Sequence, residues 1–168
     1  MANHSDVLRM EADLRLPVSP PVWPAGIITT AWQDGSALDV HRLLRSAYSR
    51  GGGEVEQDYA KWRHAFTTDS EFDPSSCTVA WSGVELVGVA LCWSSAFLKD
   101  LCVADPHRGR GLGEALVRTA MILFASRGVP ALALKVHTDN PSGAQRLYLR
   151  CGFKVVERIP LRSQVISK

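Results

Sequence analysis

The sequence has almost no excess charge and no long hydrophobic run, and each absence excludes a class of protein. Its 168 residues carry 19 Lys and Arg against 17 Asp and Glu, a net charge of +2, whereas nucleic-acid-binding domains usually have a strongly basic surface. No stretch approaches the roughly 18 apolar residues that a membrane-spanning helix needs. With 46% hydrophobic residues, the chain is too apolar to be disordered. The composition predicts one soluble domain that binds neither nucleic acid nor membrane.

Patterned metal ligands and disulfide spacings are also missing. The chain has four cysteines, at Cys77, Cys92, Cys102 and Cys151. None of them forms a C-x-x-C pair, and the five histidines show no H-E-x-x-H spacing, so we predict no metal site and no disulfide framework. Three cysteines lie in apolar runs, which favours buried, reduced thiols. The first fifteen residues are too charged for a secretory signal, and we therefore expect a cytoplasmic protein.

The chain opens with a proline-rich segment. Residues 1–24 include four prolines, which fix φ and remove backbone donors, and we interpret the segment as an extended arm without regular structure. Residues 25–168 are then the folded domain. The arm is expected to pack in part through Leu14, Leu16, Val22 and Trp23.

Hydrophobic periodicity and turn residues divide the domain into strands and helices. The predicted strands cover residues 26–32, 77–81, 86–93, 97–103, 131–136 and 153–159, with 161–166 as a candidate for one more. The predicted helices cover residues 39–48, 55–66, 113–127 and a segment capped by Asn140. The gaps within 77–103 are short and favour an antiparallel meander. The order predicts an α+β fold, a mixed and mostly antiparallel sheet flanked by helices.

The most informative stretch is the loop Arg108-Gly109-Arg110-Gly111-Leu112-Gly113, between a predicted strand and a long predicted helix. Glycines let the backbone approach a ligand closely, and free N–H groups at a helix start bind anions. The two arginines add charge suited to phosphate oxygens. A Walker loop would need a lysine after the glycines, and a dinucleotide fingerprint would need glycine where Glu114 stands. The stretch predicts a pyrophosphate-binding loop; the alternative is a tight turn with solvated arginines.

Two blocks together resemble a known family. Arg108 to Gly113 matches the [RQ]-x-x-G-x-[GA] signature of the GCN5-related N-acetyltransferase (GNAT) superfamily. The second block is similar at Asn140, Ala144, Leu147, Tyr148 and Gly152-Phe153. The resemblance covers residues 26–159 and is weakest before residue 77. The arm, Trp62 and the triplet Phe72-Asp73-Pro74 resemble features of single-domain relatives of the mycothiol-synthase-like branch.

The resemblance implies the acyl-CoA N-acyltransferase fold and an acetyl-CoA-dependent N-acetyltransferase. Such an enzyme transfers the acetyl group to a primary amine of a small molecule or protein by direct attack in a ternary complex. Pantetheine would enter where the strand 97–103 splays from 131–136, and the backbone amides near Leu101 to Val103 would stabilise the oxyanion. The coenzyme A contacts implied are Leu101, Cys102, Val103, Arg108, Gly109, Arg110, Gly111, Leu112, Gly113, Asn140 and Ala144.

The resemblance assigns Tyr148 as the general acid that protonates the departing thiolate, since a phenol is protonated and a directional donor near neutral pH. The alternative is a core tyrosine at a helix–sheet contact. The resemblance does not assign the general base, because Phe97 stands at the position where the histone-acetylating branch has its catalytic glutamate. Asp100 and His137 are the two candidates, although a solvated aspartate and a surface histidine are the simpler interpretations. Weaker candidates are Glu71, Asp73 and Glu85.

Other functions stay open at this stage. A non-catalytic acyl-CoA sensor or partner-binding module would keep the loop without turnover. Transfer to a hydroxyl group, or of a longer acyl group, is not excluded by the sequence. A homodimer through an exposed last strand is also left open.

Overall fold

The structure, a computed structural model, describes residues 5–161. It confirms the predicted α+β architecture, with one sheet in the strand order β2-β3-β4-β5-β6-β1-β7. Within the described part, the strands are β1 (Asp6–Asp13), β2 (Ile27–Ala31), β3 (Thr78–Ser82), β4 (Glu85–Trp93), β5 (Phe97–Val103), β6 (Ala131–His137) and β7 (Lys154–Pro160). The longer helices are α1 (Ala37–Tyr48), α2 (Tyr59–Thr67), α3 (Leu112–Ser126) and α4 (Ala144–Arg150). The candidate strand at 161–166 lies outside the described residues, apart from Leu161.

Strands β3 to β5 form the predicted antiparallel meander, and β2 pairs antiparallel with β3 at its edge. Helix α3 then crosses over to β6, which runs parallel to β5. The two parallel strands pair only at Phe97 with Ala133 and at Leu98 with Leu134. Beyond these pairs the strands separate, so the backbone amides on that edge of β5 have no partner strand. The predicted splay between these two strands is therefore present.

A β-bulge interrupts β5 next to the splay. Leu91 of β4 lies opposite Asp100 and Cys92 lies opposite Leu98, so Lys99 is an extra residue on β5. A bulge breaks the strict alternation of side chains and re-aims them, which is why bulges recur beside active sites. Here the bulge allows Lys99 and Asp100, which are neighbours in sequence, to form an ion pair.

The structure corrects the prediction that residues 1–24 lack regular structure. Residues 6–13 form β1, an inner strand that pairs antiparallel with both β6 and β7. Leu8, Met10 and Ala12 are buried in the core and alternate with charged residues. Alternating apolar and charged side chains are typical of a half-buried strand. The prediction is wrong because the prolines that follow dominate the composition of the segment and obscure this alternation.

The prolines themselves lie after β1, in a connection without strand or helix. Of the four residues expected to pack this segment, Leu14 is buried and Trp23 packs against the core. Leu16 and Val22 are 63% and 82% exposed, contrary to expectation.

Helix α4 begins later than predicted. It starts at Ala144, and the N-cap Gly143 has φ of +73°. This left-handed conformation is incompatible with a right-handed helix, so α4 cannot begin before Ala144. Asn140 is therefore not the helix cap. Its side-chain oxygen instead accepts hydrogen bonds from the backbone N–H and the hydroxyl of Ser142, at 2.9 and 2.6 Å.

The core consists of two hydrophobic clusters on opposite faces of the sheet. One lies beneath α3 and includes β1, while the other lies beneath α1 and α2. Trp62 and Phe66 of α2 are buried in the second cluster. All four cysteines are free and buried, as expected. No helix among residues 5–161 is long and apolar enough to cross a membrane.

Candidate active site

The glycine- and arginine-rich loop forms one wall of a groove of about 570 Å³. Gly109 and Gly111 have φ of +73° and +84°, the left-handed region that glycine adopts without steric cost. Gly111 is the N-cap of α3, so the amides of the helix's first turn have no intrahelical acceptor and are free to bind an anion. The groove is lined by Leu101, Val103, His107, Arg108, Gly109, Gly111, Leu112, Gly113, Glu114, Ser142, Gly143, Ala144, Arg146, Leu147 and Arg150.

The positive charge of this groove differs from the sequence prediction. Arg108 lines it, but Arg110 is exposed and is not part of its wall. Arg146 and Arg150 on the opposite wall were missed. They are separated by four positions and therefore lie on one face of α4, a spacing that the sequence already contained. The Asp105 carboxylate lies 3.8 Å from Nε of Arg108 and offsets part of its charge.

A smaller cavity of about 70 Å³ lies in the splay between β5 and β6. It shares the wall residues Leu101, Arg108, Ser142 and Ala144 with the groove, so the two spaces are neighbours along β5. The cavity is lined by Ala47, Tyr48, Gly51, Gly52, Leu98, Lys99, Leu101, Cys102, Arg108, Lys135, Val136, Asn140, Ser142, Ala144 and Tyr148. It therefore brings together predicted site residues from β5, the loop, and the α4 region.

Tyr148 lies on α4, only 7% exposed. Its ring packs against Phe153 with the centroids 5.7 Å apart. Burial raises the pKa of its phenol, and negative charge at Cys102 and Asp100 would raise it further. The hydroxyl is therefore protonated throughout the neutral range, which is the state that a general acid needs.

Asp100 lies on β5 beneath α1 and is also 7% exposed. Its Oδ1 accepts a hydrogen bond of 2.5 Å from the Tyr48 hydroxyl, and its Oδ2 lies 2.7 Å from Nζ of Lys99. A buried carboxylate needs such partners, because an unpaired buried charge is costly. Burial, followed by the nearby Asp100 charge, raises the pKa of Tyr48, so this phenol is a donor to Asp100 and not an acceptor.

The other base candidates lie elsewhere. His137 is half-buried at the end of β6, paired with Val7 of β1 and one residue beyond the cavity wall at Val136. Asp73 accepts hydrogen bonds from Ser75 and Ser76, and these bonds lower its pKa.

The triplet Gly51-Gly52-Gly53 follows α1 and contacts the site, although its composition alone indicates only the end of a helix. A Cβ atom on Gly52 would lie 2.8 Å from the Asn140 side chain, and one on Gly53 would lie 2.8 Å from the Tyr48 ring. The backbone thus lies against both residues at the mouth of the cavity. The three-glycine run is the sequence signal for this close approach.

A wider outer pocket of about 490 Å³ lies on the far side of Tyr48. It is lined by Arg45, Ser46, Tyr48, Ser49, Gly53, Glu54, Val55 and Gln57. Tyr48 belongs to this pocket and to the cavity in the splay. Most of its lining side chains are polar, and it shares no lining residue with the groove beside the glycine-rich loop.

The Cys102 thiol is the nucleophilic side chain of the cavity, but its surroundings keep it neutral. Burial, followed by the charge of Asp100, raises its pKa to about 12. Since the thiolate is the reactive form of cysteine, this environment disfavours a covalent acyl-cysteine.

Comparison with known proteins agrees with this geometry. The acetyltransferase (GNAT) family matches residues 37–153. The chain is 31% identical to streptothricin acetyltransferase of Escherichia coli over 123 residues, which are 67% of this chain and 70% of that protein. It is 38% identical to mycothiol acetyltransferase of Corynebacterium efficiens over 84 residues, 46% of this chain and 27% of that protein.

Solved structures extend the likeness to nearly the whole chain. A GCN5-related N-acetyltransferase from Sphaerobacter thermophilus superposes with a TM-score of 0.79 at 25% identity, covering 94% of this chain and 50% of that one. A tandem GNAT protein from the clavulanic acid biosynthesis pathway shares the fold, with a TM-score of 0.67 at 20% identity over 95% of this chain and 53% of that one. This chain thus spans about half the length of these two structures. Because the family match includes both the glycine-rich loop and the Tyr148 cavity, the chain belongs to the acetyltransferase (GNAT) family.

Proposed function

We propose that this chain transfers the acetyl group of acetyl-CoA to a primary amine by direct attack in a ternary complex. The observation that carries the proposal is the adjacency of the two spaces along β5. A groove with free helix amides and arginines lies beside a narrow cavity in the splay. The buried Tyr148 lines that cavity, and the Asp100 carboxylate is hydrogen-bonded to two residues of its wall, Tyr48 and Lys99.

In this proposal the groove holds the pyrophosphate of acetyl-CoA. The amides at the start of α3 bind its oxygens, and Arg108 supplies charge beside them. Arg146 and Arg150 supply charge from α4. The pantetheine arm extends along β5 into the splay, where the unpaired amides near Leu101 to Val103 are available to bond it. Asn140 and Ala144 line its path.

The transfer step uses Tyr148 in the cavity wall and Asp100 beside that wall. The amine nitrogen attacks the thioester carbonyl, and the β5 amides stabilise the oxyanion that forms. The C–S bond then breaks, and the Tyr148 hydroxyl protonates the coenzyme A thiolate. The amine's surplus proton goes to Asp100. We favour Asp100 over His137 as the base because Asp100 is adjacent to the cavity residues Tyr48 and Lys99.

The experiment is a screen of amines with acetyl-CoA as donor, in which release of free thiol reports transfer. Tyr148→Phe should lower turnover about 10²- to 10⁴-fold, since general acid catalysis contributes that much. Acetyl-CoA affinity should remain nearly unchanged, because the ring is retained. Tyr59→Phe is the matched control: this half-buried tyrosine on α2 packs on Trp62 and its loss of a hydroxyl should leave turnover intact.

Two outcomes would contradict parts of the proposal. If Tyr148→Phe turns over as fast as the wild-type protein, Tyr148 is not the acid. If acetyl-CoA binds by calorimetry but no amine releases thiol, the alternative of a non-catalytic acyl-CoA-binding module is favoured over the enzyme.

A further inference from the structure

The ammonium group of Lys99 occupies a site made for a cation. Its Nζ lies 2.7 Å from Oδ2 of Asp100 and 5.7 Å from the ring centroids of both Phe66 and Trp93. We call Asp100, Phe66 and Trp93 the ammonium site. Aromatic faces with a carboxylate beside them are the surroundings in which proteins recognise alkylammonium ligands.

The protein part of this site is built independently of Lys99. Asp100 is more than nine-tenths buried and is oriented by the Tyr48 hydroxyl. The rings of Phe66 and Trp93 pack on each other with centroids 5.2 Å apart. Phe66 is 3% exposed and fixed in the core. A rigid, buried anion beside two packed rings is preorganised for a cation.

Lys99, by contrast, is the replaceable member. Its side chain is 34% exposed, and it is the extra residue of the β5 bulge, so its long stem has a path to solvent. A flexible lysine can swing away, which would leave Asp100 with a single partner, Tyr48. A second ammonium group could then take the position of Nζ.

The ammonium site also lies where the acceptor must be. Lys99 lines the same cavity as Tyr148 and the β5 residues Leu101 and Cys102. A nitrogen at the position of the Lys99 ammonium therefore lies at the wall of the cavity in which the proposed function places the thioester.

We propose that the ammonium site binds the acceptor as an alkylammonium ion, and that Lys99 fills this site in the free protein as an internal competitor. This inference rests on the proposed function. It names the acceptor class: a primary amine on an unbranched, apolar carbon stem, whose ammonium end lies against the two rings. Acidic acceptors are disfavoured, since Asp100 would repel them.

Displacement of Lys99 also places the acceptor nitrogen beside the proposed base. The ammonium bound at Asp100 releases one proton to solvent and attacks the thioester as the free amine, and Asp100 then takes the second proton, from the tetrahedral adduct, as in the proposed function. The displaced Lys99 remains charged and solvated. No further reactant is required.

The test is calorimetric binding of n-butylammonium in the absence of acetyl-CoA, with butyrate as the anionic probe. Lys99→Met removes the competitor and should bind n-butylammonium at least fivefold more tightly, because a site that is mostly occupied by its own lysine loses that fraction of its apparent affinity. Adding Asp100→Asn to Lys99→Met should abolish the gain. Lys61→Met, an exposed lysine on α2, should bind like the wild-type protein.

Lys99→Gln is the second variant, since its amide can still donate to Asp100 if Lys99→Met fails to fold. An unchanged affinity for n-butylammonium in the folded variants overturns the inference. Binding of butyrate to the wild-type protein that is lost in Lys99→Met also overturns it, and would make Lys99 a receptor for acidic acceptors. Because no acetyl-CoA is present, a failed amine screen would reject the proposed function and leave this binding result standing.

Discussion

At the scale of single residues, the two tyrosines of the cavity differ in their hydrogen-bond partners. Burial raises the pKa of both phenols, so both remain protonated near neutral pH. The Tyr48 hydroxyl is committed to Asp100 at 2.5 Å and orients that carboxylate. The proposed function uses Tyr148 as the acid, since its hydroxyl is not the one bonded to Asp100.

The glycines near the cavity are distinguished by what a side chain would meet. Gly52 has φ of +85°, and a Cβ there would lie 2.8 Å from the nearest atoms of the Asn140 side chain. Gly35, in the short turn before α1, has no positive φ, and a Cβ added there would meet no atom within 4 Å. The same substitution thus has opposite expectations at the two positions.

Gly52→Ala should lower the free energy of unfolding by about 1–2 kcal/mol, the usual cost of a left-handed alanine. It should also reduce turnover, because Asn140 must move at the cavity mouth. Gly35→Ala should change neither quantity. Urea unfolding and the thiol-release assay measure the two effects, and equal behaviour of the two variants would show that the triplet does not constrain the site.

At the scale of elements, the sequence predicted most helices and strands because their periodicity is local. The bounds of α1, β5 and β6 agree with the structure to within about two residues. The predicted start of α4 is wrong because Asn140-Pro141 has the composition of a helix start, while the left-handed Gly143 sets the actual start.

Long-range features were harder to predict. The hydrogen bond between Tyr48 and Asp100 joins residues 52 positions apart. The sequence around either residue contains no local pattern that predicts this contact. The insertion of β1 between β6 and β7 likewise depends on which edges the sheet leaves open. The loop could be identified from its glycines, its arginines and the helix that follows, whereas the role given to Tyr148 came from the family resemblance.

The position of β1 leads to a direct test. Met10 on β1 is fully buried, so Met10→Ala should cost about 2–5 kcal/mol of unfolding free energy, as other buried large-to-small changes do. Val22→Ala, in the same N-terminal segment but 82% exposed, should cost less than about 0.5 kcal/mol. Denaturant unfolding distinguishes them; a small effect at Met10 would mean that the segment is a dispensable arm.

At the scale of the whole molecule, the net charge of +2 conceals a local electrostatic feature. Arg108, Arg146 and Arg150 converge on one groove from two separate elements, the loop before α3 and helix α4. An anion that binds there links the loop before α3 to helix α4. Ligand binding should therefore stabilise the entire fold and not only the loop.

Coenzyme A at about one hundred times its dissociation constant should raise the free energy of unfolding by about 2.7 kcal/mol. For a domain of this size that corresponds to a rise in Tm of about 5–11 °C.

Arg108→Glu reverses charge at the phosphates, and a tenfold loss of affinity would leave about 1.4 kcal/mol at the same coenzyme A concentration, which halves the shift. Arg42→Glu makes the same charge change on α1, where the side chain is 68% exposed, and should retain the full shift. Higher salt should reduce the shift in the wild-type protein, because exposed charges are screened. Equal shifts in the two variants would mean that the phosphates bind elsewhere, since Arg108 lines the groove and Arg42 does not.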